Sequence, residues 1–189
     1  LVPETSRARS GARLAAGIRS RGTLLTTGFL GTPMALDALA DVGETELAWS
    51  LLLRTDYPSW GYMVERGATT IWERWNGDVG DVAMNSYNHY ALGAVCAFLY
   101  RRVAGIEPID PGFSRFRFAP LPDPRVPFAK ARYDSVRGRV EAGWLHVERG
   151  TRFDLRVPPG AVAEVILPGQ LDGSTPGLES DLAGGLTRG

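Results

Sequence analysis

The chain has 189 residues, of which 44% are hydrophobic and 22% charged, a composition typical of a globular protein with one or two domains. Its 21 basic and 21 acidic residues give a formal net charge of zero, which argues against nucleic acid or anionic lipid as the main partner. The single cysteine, Cys96, excludes an internal disulfide and a Cys-based zinc cluster. No apolar run reaches the roughly 18 residues that a membrane span needs.

The first half of the chain has the apolar periodicity of amphipathic helices. We predict helices over residues 7–21, 34–42 and 46–54, with Thr32 as the N-cap of the second helix and Gly43 at its end. The second and third helices would form a hairpin with a short connection. The run 86–105 is apolar nearly all round, which predicts a deeply buried helix.

The aromatic stretch 56–63 is predicted to be a loop. Pro58 blocks helix continuation, and Gly61 permits a positive φ. Functional residues are common in such loops, which a rigid scaffold holds in place.

The second half of the chain predicts a small antiparallel β domain. Prolines at 108, 111, 120, 122, 124 and 127 exclude helix, and alternating apolar residues mark short strands. The strands fall near 113–118, 129–136, 139–147, 153–157 and 162–167. Residues 170–189 lack periodicity and are interpreted as a loose tail.

The stretch 67–90 combines a carboxylate between two indoles, a Gly/Asp loop and an Asn/His/Tyr cluster. Carbohydrate sites favour this mixture, because sugar C–H faces pack on rings while hydroxyls need directional partners. Glu73 is the candidate general base, since neighbouring indoles would desolvate its carboxylate. A structural alternative is an ion pair with Arg74 or Arg66 at the surface.

His89 lies near the start of the predicted buried helix and belongs to the Asn/His/Tyr cluster of the candidate sugar site. The competing interpretation is a capping or core histidine. Asp78 and Asp81 are interpreted as turn formers rather than cation ligands. The candidate sugar-facing aromatic residues are Trp60, Tyr62, Trp72 and Trp75.

Four ordered motifs give the chain a specific family resemblance. They occupy residues 27–33, 59–63, 67–75 and 84–91 and include Thr-Thr-Ile-Trp-Glu at 69–73 and Asn-His-Tyr at 88–90. In this order they resemble the bacterial α-L-rhamnosidase family of inverting glycoside hydrolases. The proline-punctuated region also resembles the C-terminal β-sandwich domain of that family.

The resemblance implies an α+β chain with two parts. Residues 1–107 would be closing helical hairpins of an (α/α)6 catalytic barrel, and residues 108–169 would be a β-sandwich followed by the tail 170–189. It implies Glu73 as general base and His89 as a rhamnose contact. The general acid of the family lies upstream of the residues present here, so we expect the chain alone to be inactive.

The predicted function is therefore that of the C-terminal part of an enzyme that hydrolyses terminal α-L-rhamnose with inversion. Asn85 and Asn88 join the aromatic residues as predicted substrate contacts. The expected partners are a rhamnose-containing glycoside and the upstream catalytic segment, with no cofactor, metal, nucleic acid or membrane. The alternatives are another glycosidase or lyase on the same barrel, and a non-catalytic carbohydrate-binding protein.

Overall fold

The computed structural model describes residues 2–169, and the chain divides into two compact units, Leu1–Phe98 and Leu99–Gly189. The first unit is helical and the second consists of two small sheets. The predicted loose tail, 170–189, lies outside the described residues.

The helical unit contains six α-helices. These are α1 (Glu4–Ser20), α2 (Thr32–Asp41), α3 (Thr45–Leu52), α4 (Trp60–Glu65), α5 (Tyr90–Gly93) and α6 (Val95–Phe98). Helix α2 packs against α1, α3 and α5. The buried side chains at this centre include Ile18, Leu36, Leu39, Leu47 and Trp49. The predicted α2–α3 hairpin is confirmed, and Gly43 takes a φ of 83° between its helices.

Two local predictions in the helical unit were wrong. Thr32 is not the N-cap of α2: Gly31 holds that position, and the Thr32 hydroxyl donates to the Thr27 carbonyl at 2.9 Å. Gly61 is not needed for a positive φ, because it lies inside α4. A Cβ at Gly61 would lie 2.3 Å from the Arg54 carbonyl oxygen, so this glycine is required by close backbone approach.

The helix predicted over 86–105 is shorter and less buried than expected. Residues 86–89 are not helical, because the Ser86 carbonyl and the His89 amide bond to residues 71–73, and α5 begins only at Tyr90. One face, including Leu92 and Phe98, is buried, whereas Tyr90 is 84% exposed and Cys96 is also exposed. The run continues in the second unit as a π-helix, Leu99–Val103.

Up to residue 169, the second unit contains six strands in two three-stranded sheets. The strands are β1 (Ile106–Pro108), β2 (Arg115–Phe118), β3 (Phe128–Ser135), β4 (Gly138–Val147), β5 (Gly150–Arg156) and β6 (Val162–Val165). The strand orders are β1-β2-β6 and β3-β4-β5. Strands β3, β4 and β5 form successive antiparallel hairpins, with Ala131 opposite Ala142 and Trp144 opposite Phe153.

The two sheets share one apolar core, which makes the unit a small β-sandwich. The first sheet contributes Phe116 and Phe118, and the second contributes Val140 and Ala142. The predicted α+β class, with helical hairpins followed by this sandwich, is confirmed. The sequence did not predict that β2 and β6 pair in parallel; they can do so because the whole second sheet lies between them in the chain.

Candidate functional site

The candidate site is built on two backbone segments that run antiparallel, residues 70–73 and 86–89, called here the paired segments. The Glu73 amide donates to the Ser86 carbonyl at 2.8 Å, and the His89 amide donates to the Ile71 carbonyl at 2.9 Å. The Thr70 hydroxyl donates to the Tyr87 carbonyl. These bonds place Glu73 and His89, which are far apart in sequence, on adjacent backbone segments.

The carboxylate of Glu73 is held from one side only. Its Oε2 accepts a hydrogen bond from the Ser86 amide at 2.9 Å, whereas no residue in the described range 2–169 donates to Oε1. The predicted alternative, an ion pair with arginine, does not form within that range. Arg74 donates to the Asp81 carbonyl at 3.1 Å, and Arg66 pairs with Asp78 at 3.6 Å. Glu73 therefore presents one oxygen that has no partner in the described part of the chain.

His89 uses one ring nitrogen to cap a helix. Its Nδ1 accepts from the Ala91 amide at 3.2 Å, so His89 is the N-cap of α5. In a neutral imidazole this bond places the proton on Nε2, which makes Nε2–H a donor. None of residues 2–169 bonds to Nε2. His89 therefore caps the helix through Nδ1, as the competing interpretation predicted, and its Nε2–H is available as a second, directional donor.

The ring of His89 contacts two aromatic neighbours. Phe29 lies 5.0 Å away between ring centroids, and Tyr90 stacks at 4.9 Å with an interplanar angle of 18°. Phe29 and Tyr90 are 45% and 84% exposed. The sequence analysis assigned Phe29 no role, although it lies in the first of the four motifs.

Two of the four predicted sugar-facing aromatic residues belong to the core of the helical unit. Trp60 and Trp72 are each 6% exposed. Trp60 donates through its indole nitrogen to the Leu92 carbonyl at 2.9 Å, and Trp72 packs with Met63 and Leu92. Trp75 is half-buried and meets Trp60 edge to face at 5.2 Å. Among these indoles, Trp75 retains the accessible surface.

Tyr62 lies at the outer edge of the same cluster. Its hydroxyl lies 3.3 Å from both carboxylate oxygens of Asp78, and the Arg66 guanidinium lies 5.1 Å from its ring centroid. Tyr57 meets the ring edge to face at 5.5 Å. Tyr62 is therefore held in a polar and aromatic environment, not in the core.

The connecting loop, residues 74–85, joins the paired segments. The Tyr87 hydroxyl donates to the Gly77 carbonyl at 2.9 Å, and Asn85 Nδ2 donates to the same oxygen at 3.4 Å. Asn85 is 9% exposed, and its Oδ1 is buried without a partner among the described residues. Asn88 is exposed, and its amide donates to the Ser86 hydroxyl at 3.3 Å.

The two aspartates of the connecting loop bond to other groups of the protein. Asp78 accepts from Tyr62 and pairs with Arg66, whereas Asp81 Oδ1 accepts from the Ala83 amide at 3.0 Å. Within residues 2–169, no group of three His, Cys, Asp or Glu side chains is placed to hold a metal ion. None of the helices in this range is long and apolar enough to cross a lipid bilayer.

The sequence analysis missed the hydrogen bond from the Ser86 amide to Glu73 and the hydrogen bond from the Tyr87 hydroxyl to Gly77. The Ser86 amide and the Tyr87 hydroxyl lie inside a motif that was singled out, but spacing alone did not show which groups they contact. A sequence pattern does not show which group a particular backbone amide contacts. The only available signal was Gly77, whose lack of a side chain is consistent with close packing in the loop.

Comparison with known proteins shows which family the chain resembles. Residues 1–103 match the bacterial alpha-L-rhamnosidase 6 hairpin glycosidase domain, and residues 105–177 match the bacterial alpha-L-rhamnosidase C-terminal domain. An alpha-L-rhamnosidase from Streptomyces avermitilis is 40% identical over 173 residues, which cover 89% of this chain and 17% of that protein. One from Formosa agariphila is 37% identical over 174 residues, covering 89% of this chain and 19% of that protein.

A solved structure is similar over the same range. The crystal structure of the Streptomyces avermitilis alpha-L-rhamnosidase complexed with L-rhamnose aligns with a TM-score of 0.82 at 40% identity, covering 87% of this chain and 16% of that chain. The chain belongs to the bacterial α-L-rhamnosidase family, which confirms the resemblance carried by the four motifs. It spans 17% and 19% of the length of the two curated relatives described above.

Proposed function

We propose that this chain supplies the general-base side of the active site in a longer α-L-rhamnosidase. The proposed substrate is a glycoside with a terminal α-L-rhamnose, hydrolysed with inversion. We retain the sequence-derived domain limits, with residues 1–107 as part of the catalytic barrel and residues 108–169 as the β-sandwich. The observation that carries the proposal is the anchored Glu73 carboxylate, whose Oε1 accepts no hydrogen bond from residues 2–169.

Glu73 is suited to activating water. The Ser86 amide fixes one carboxylate oxygen, which leaves Oε1 to accept a proton from a water molecule. The water oxygen then bonds to the anomeric carbon, while the glycosidic C–O bond breaks on the opposite face. The leaving oxygen takes a proton from a second carboxylic acid, about 6.5 to 9.5 Å from the base in inverting enzymes. We propose that a segment outside these 189 residues supplies that acid.

His89 is proposed to orient the sugar. Its Nε2–H can donate to a rhamnose hydroxyl, and the rings of Phe29 and Tyr90 restrict how far the imidazole can turn. A fixed donor reduces the ordering cost of binding. The cap that uses Nδ1 and the sugar contact that uses Nε2 are therefore compatible.

The remaining predicted substrate contacts form two groups, accessible side chains and buried side chains. Trp75 and Tyr62 are proposed to pack against the sugar, and Asn88 to bond to its hydroxyls, because these side chains keep accessible surface. Trp60 and Trp72 are proposed to support this wall from beneath, since both lie in the core. Asn85 is also buried, and its proposed contribution is to hold the connecting loop.

The test is Glu73→Gln in the full-length enzyme, with Glu65→Gln as the matched control. Glutamine keeps the size and the Ser86 contact but cannot accept a proton, so we expect kcat on nitrophenyl α-L-rhamnoside to fall by about 10² or more. Glu65 is exposed at the end of α4, and its variant should keep the normal rate. Magnetic resonance should show the inverted β-anomer as the first sugar product.

Four results would contradict the proposal. Near-normal turnover by Glu73→Gln removes Glu73 from the mechanism. Release of a different sugar from a panel of nitrophenyl glycosides identifies another glycosidase, and rhamnose binding without hydrolysis identifies a carbohydrate-binding protein. Turnover by the 189-residue chain alone would show that it contains its own acid.

A further inference from the structure

One carbonyl in the connecting loop collects two hydrogen bonds from the segment that carries the Glu73 anchor. The Gly77 oxygen accepts from the Tyr87 hydroxyl at 2.9 Å and from Asn85 Nδ2 at 3.4 Å. The loop leaves the paired segments after Glu73, passes Gly77 and returns at Ser86. Its middle is therefore bonded back to the residues at its own end.

Position 77 has no room for a side chain, so a glycine is required there. A Cβ built on it would lie 2.6 Å from Asn85 Nδ2 and 2.9 Å from Cε3 of Trp72. The backbone thus rests directly on the buried Trp72 indole. Tyr87 meets the same indole edge to face, with ring centroids 6.1 Å apart. Trp72 therefore forms a rigid support for both the loop and the Tyr87 ring.

Tyr87 is held at both of its ends. Its carbonyl accepts from the Thr70 hydroxyl, and its own hydroxyl bonds to Gly77. The residue before it, Ser86, directs its amide at Glu73 Oε2 over 2.9 Å. Ser86 lies between Asn85 and Tyr87, whose side chains both bond to the Gly77 carbonyl, and its own carbonyl, in the peptide plane shared with Tyr87, accepts from the Glu73 amide at 2.8 Å. Fixing Tyr87 therefore holds one of the two peptide planes that flank Ser86 and restricts the backbone rotation that aims the Ser86 amide.

We propose that Tyr87 is a positioning residue, which acts through the Ser86 amide to hold the Glu73 carboxylate in its working orientation. This inference rests on the proposed function, because it assumes that Glu73 is the base. The Tyr87 hydroxyl exchanges no proton with the substrate. Its contribution is to keep Oε1 of Glu73 directed at the attacking water, since misplacement of a reacting group lowers the rate steeply.

The test is Tyr87→Phe in the full-length enzyme, with Tyr133→Phe as the matched control. Phenylalanine keeps the ring against Trp72 and removes only the bond to Gly77. We expect kcat to fall by about tenfold while KM stays within about twofold, because the sugar contacts remain and only the base is misdirected. Tyr133 lies in β3, and no residue in the range 2–169 bonds to its hydroxyl, so its variant should be unchanged.

A double-mutant cycle with Glu73→Gln shows whether Tyr87 acts through Glu73. If it does, Tyr87→Phe has no further effect once the base is gone. Full additivity would overturn the inference, as would an unchanged kcat in Tyr87→Phe or a change confined to KM and the melting temperature. Normal activity of Glu73→Gln alone is a different result, which would overturn the proposed function and this inference with it.

Discussion

His89 has two nitrogens with separate tasks, and a pair of substitutions can measure each task alone. His89→Ala removes both the Nδ1 cap and the Nε2 donor. His89→Asn removes the Nε2 donor but keeps a side-chain acceptor for the Ala91 amide, since asparagine is among the best N-cap residues. Both variants lose the ring contacts with Phe29 and Tyr90, so the difference in stability between them isolates the cap.

The expected magnitudes follow from these bonds. Loss of an N-cap acceptor costs about 1 kcal/mol, so in a chain of this size His89→Ala should unfold roughly 2 to 4 °C below His89→Asn. A neutral hydrogen bond contributes about 0.5 to 1.5 kcal/mol net, so both variants should lose about three- to tenfold in kcat/KM if Nε2 contacts the sugar. Differential scanning calorimetry measures the first quantity, and nitrophenyl rhamnoside hydrolysis by the full-length enzyme measures the second.

Two outcomes would refute this reasoning separately. Equal melting temperatures for the two variants would show that the Nδ1 bond does not stabilise α5. If His89→Asn kept kcat/KM within about twofold of the unmodified enzyme, Nε2 would make no energetically useful contact with rhamnose.

Two further predictions concern stability. Gly61→Ala should cost about 1 to 3 kcal/mol in urea unfolding because its Cβ meets the Arg54 carbonyl, whereas Gly17→Ala, in α1 with only Arg21 Nη1 nearby at 3.6 Å, should stabilise. Side-chain hydrogen bonds from Arg125 lower the pKa of buried Asp123 against the opposing effect of burial. A lowered pKa in the folded state stabilises the protein at neutral pH, and this stabilisation is lost as the pH falls through that pKa. Asp123→Asn should therefore be less stable than the unmodified protein at pH 7 but approach its stability in acid.

The outline of the fold could be predicted because its determinants are local. The apolar periodicity of α2 and α3, the glycine between them and the alternation along β3 to β5 all depend on residues close in sequence. Neighbouring strands with short connections form hairpins, so the second sheet followed as well. The parallel pairing of β2 with β6 did not, because it joins strands that are distant in the chain.

The same contrast between local and distant determinants applies to the candidate site. The sequence by itself determined which residue types were present at 67–90, and its motifs placed the chain in a family of glycoside hydrolases. Only the tertiary structure decided that Glu73 is held by the Ser86 amide, that Trp60 and Trp72 are core residues, and that one nitrogen of His89 has no partner within residues 2–169. These outcomes depend on how the connecting loop closes and on which side chains are buried in the core. Both depend on contacts between residues distant in the chain, which spacing along the sequence does not specify.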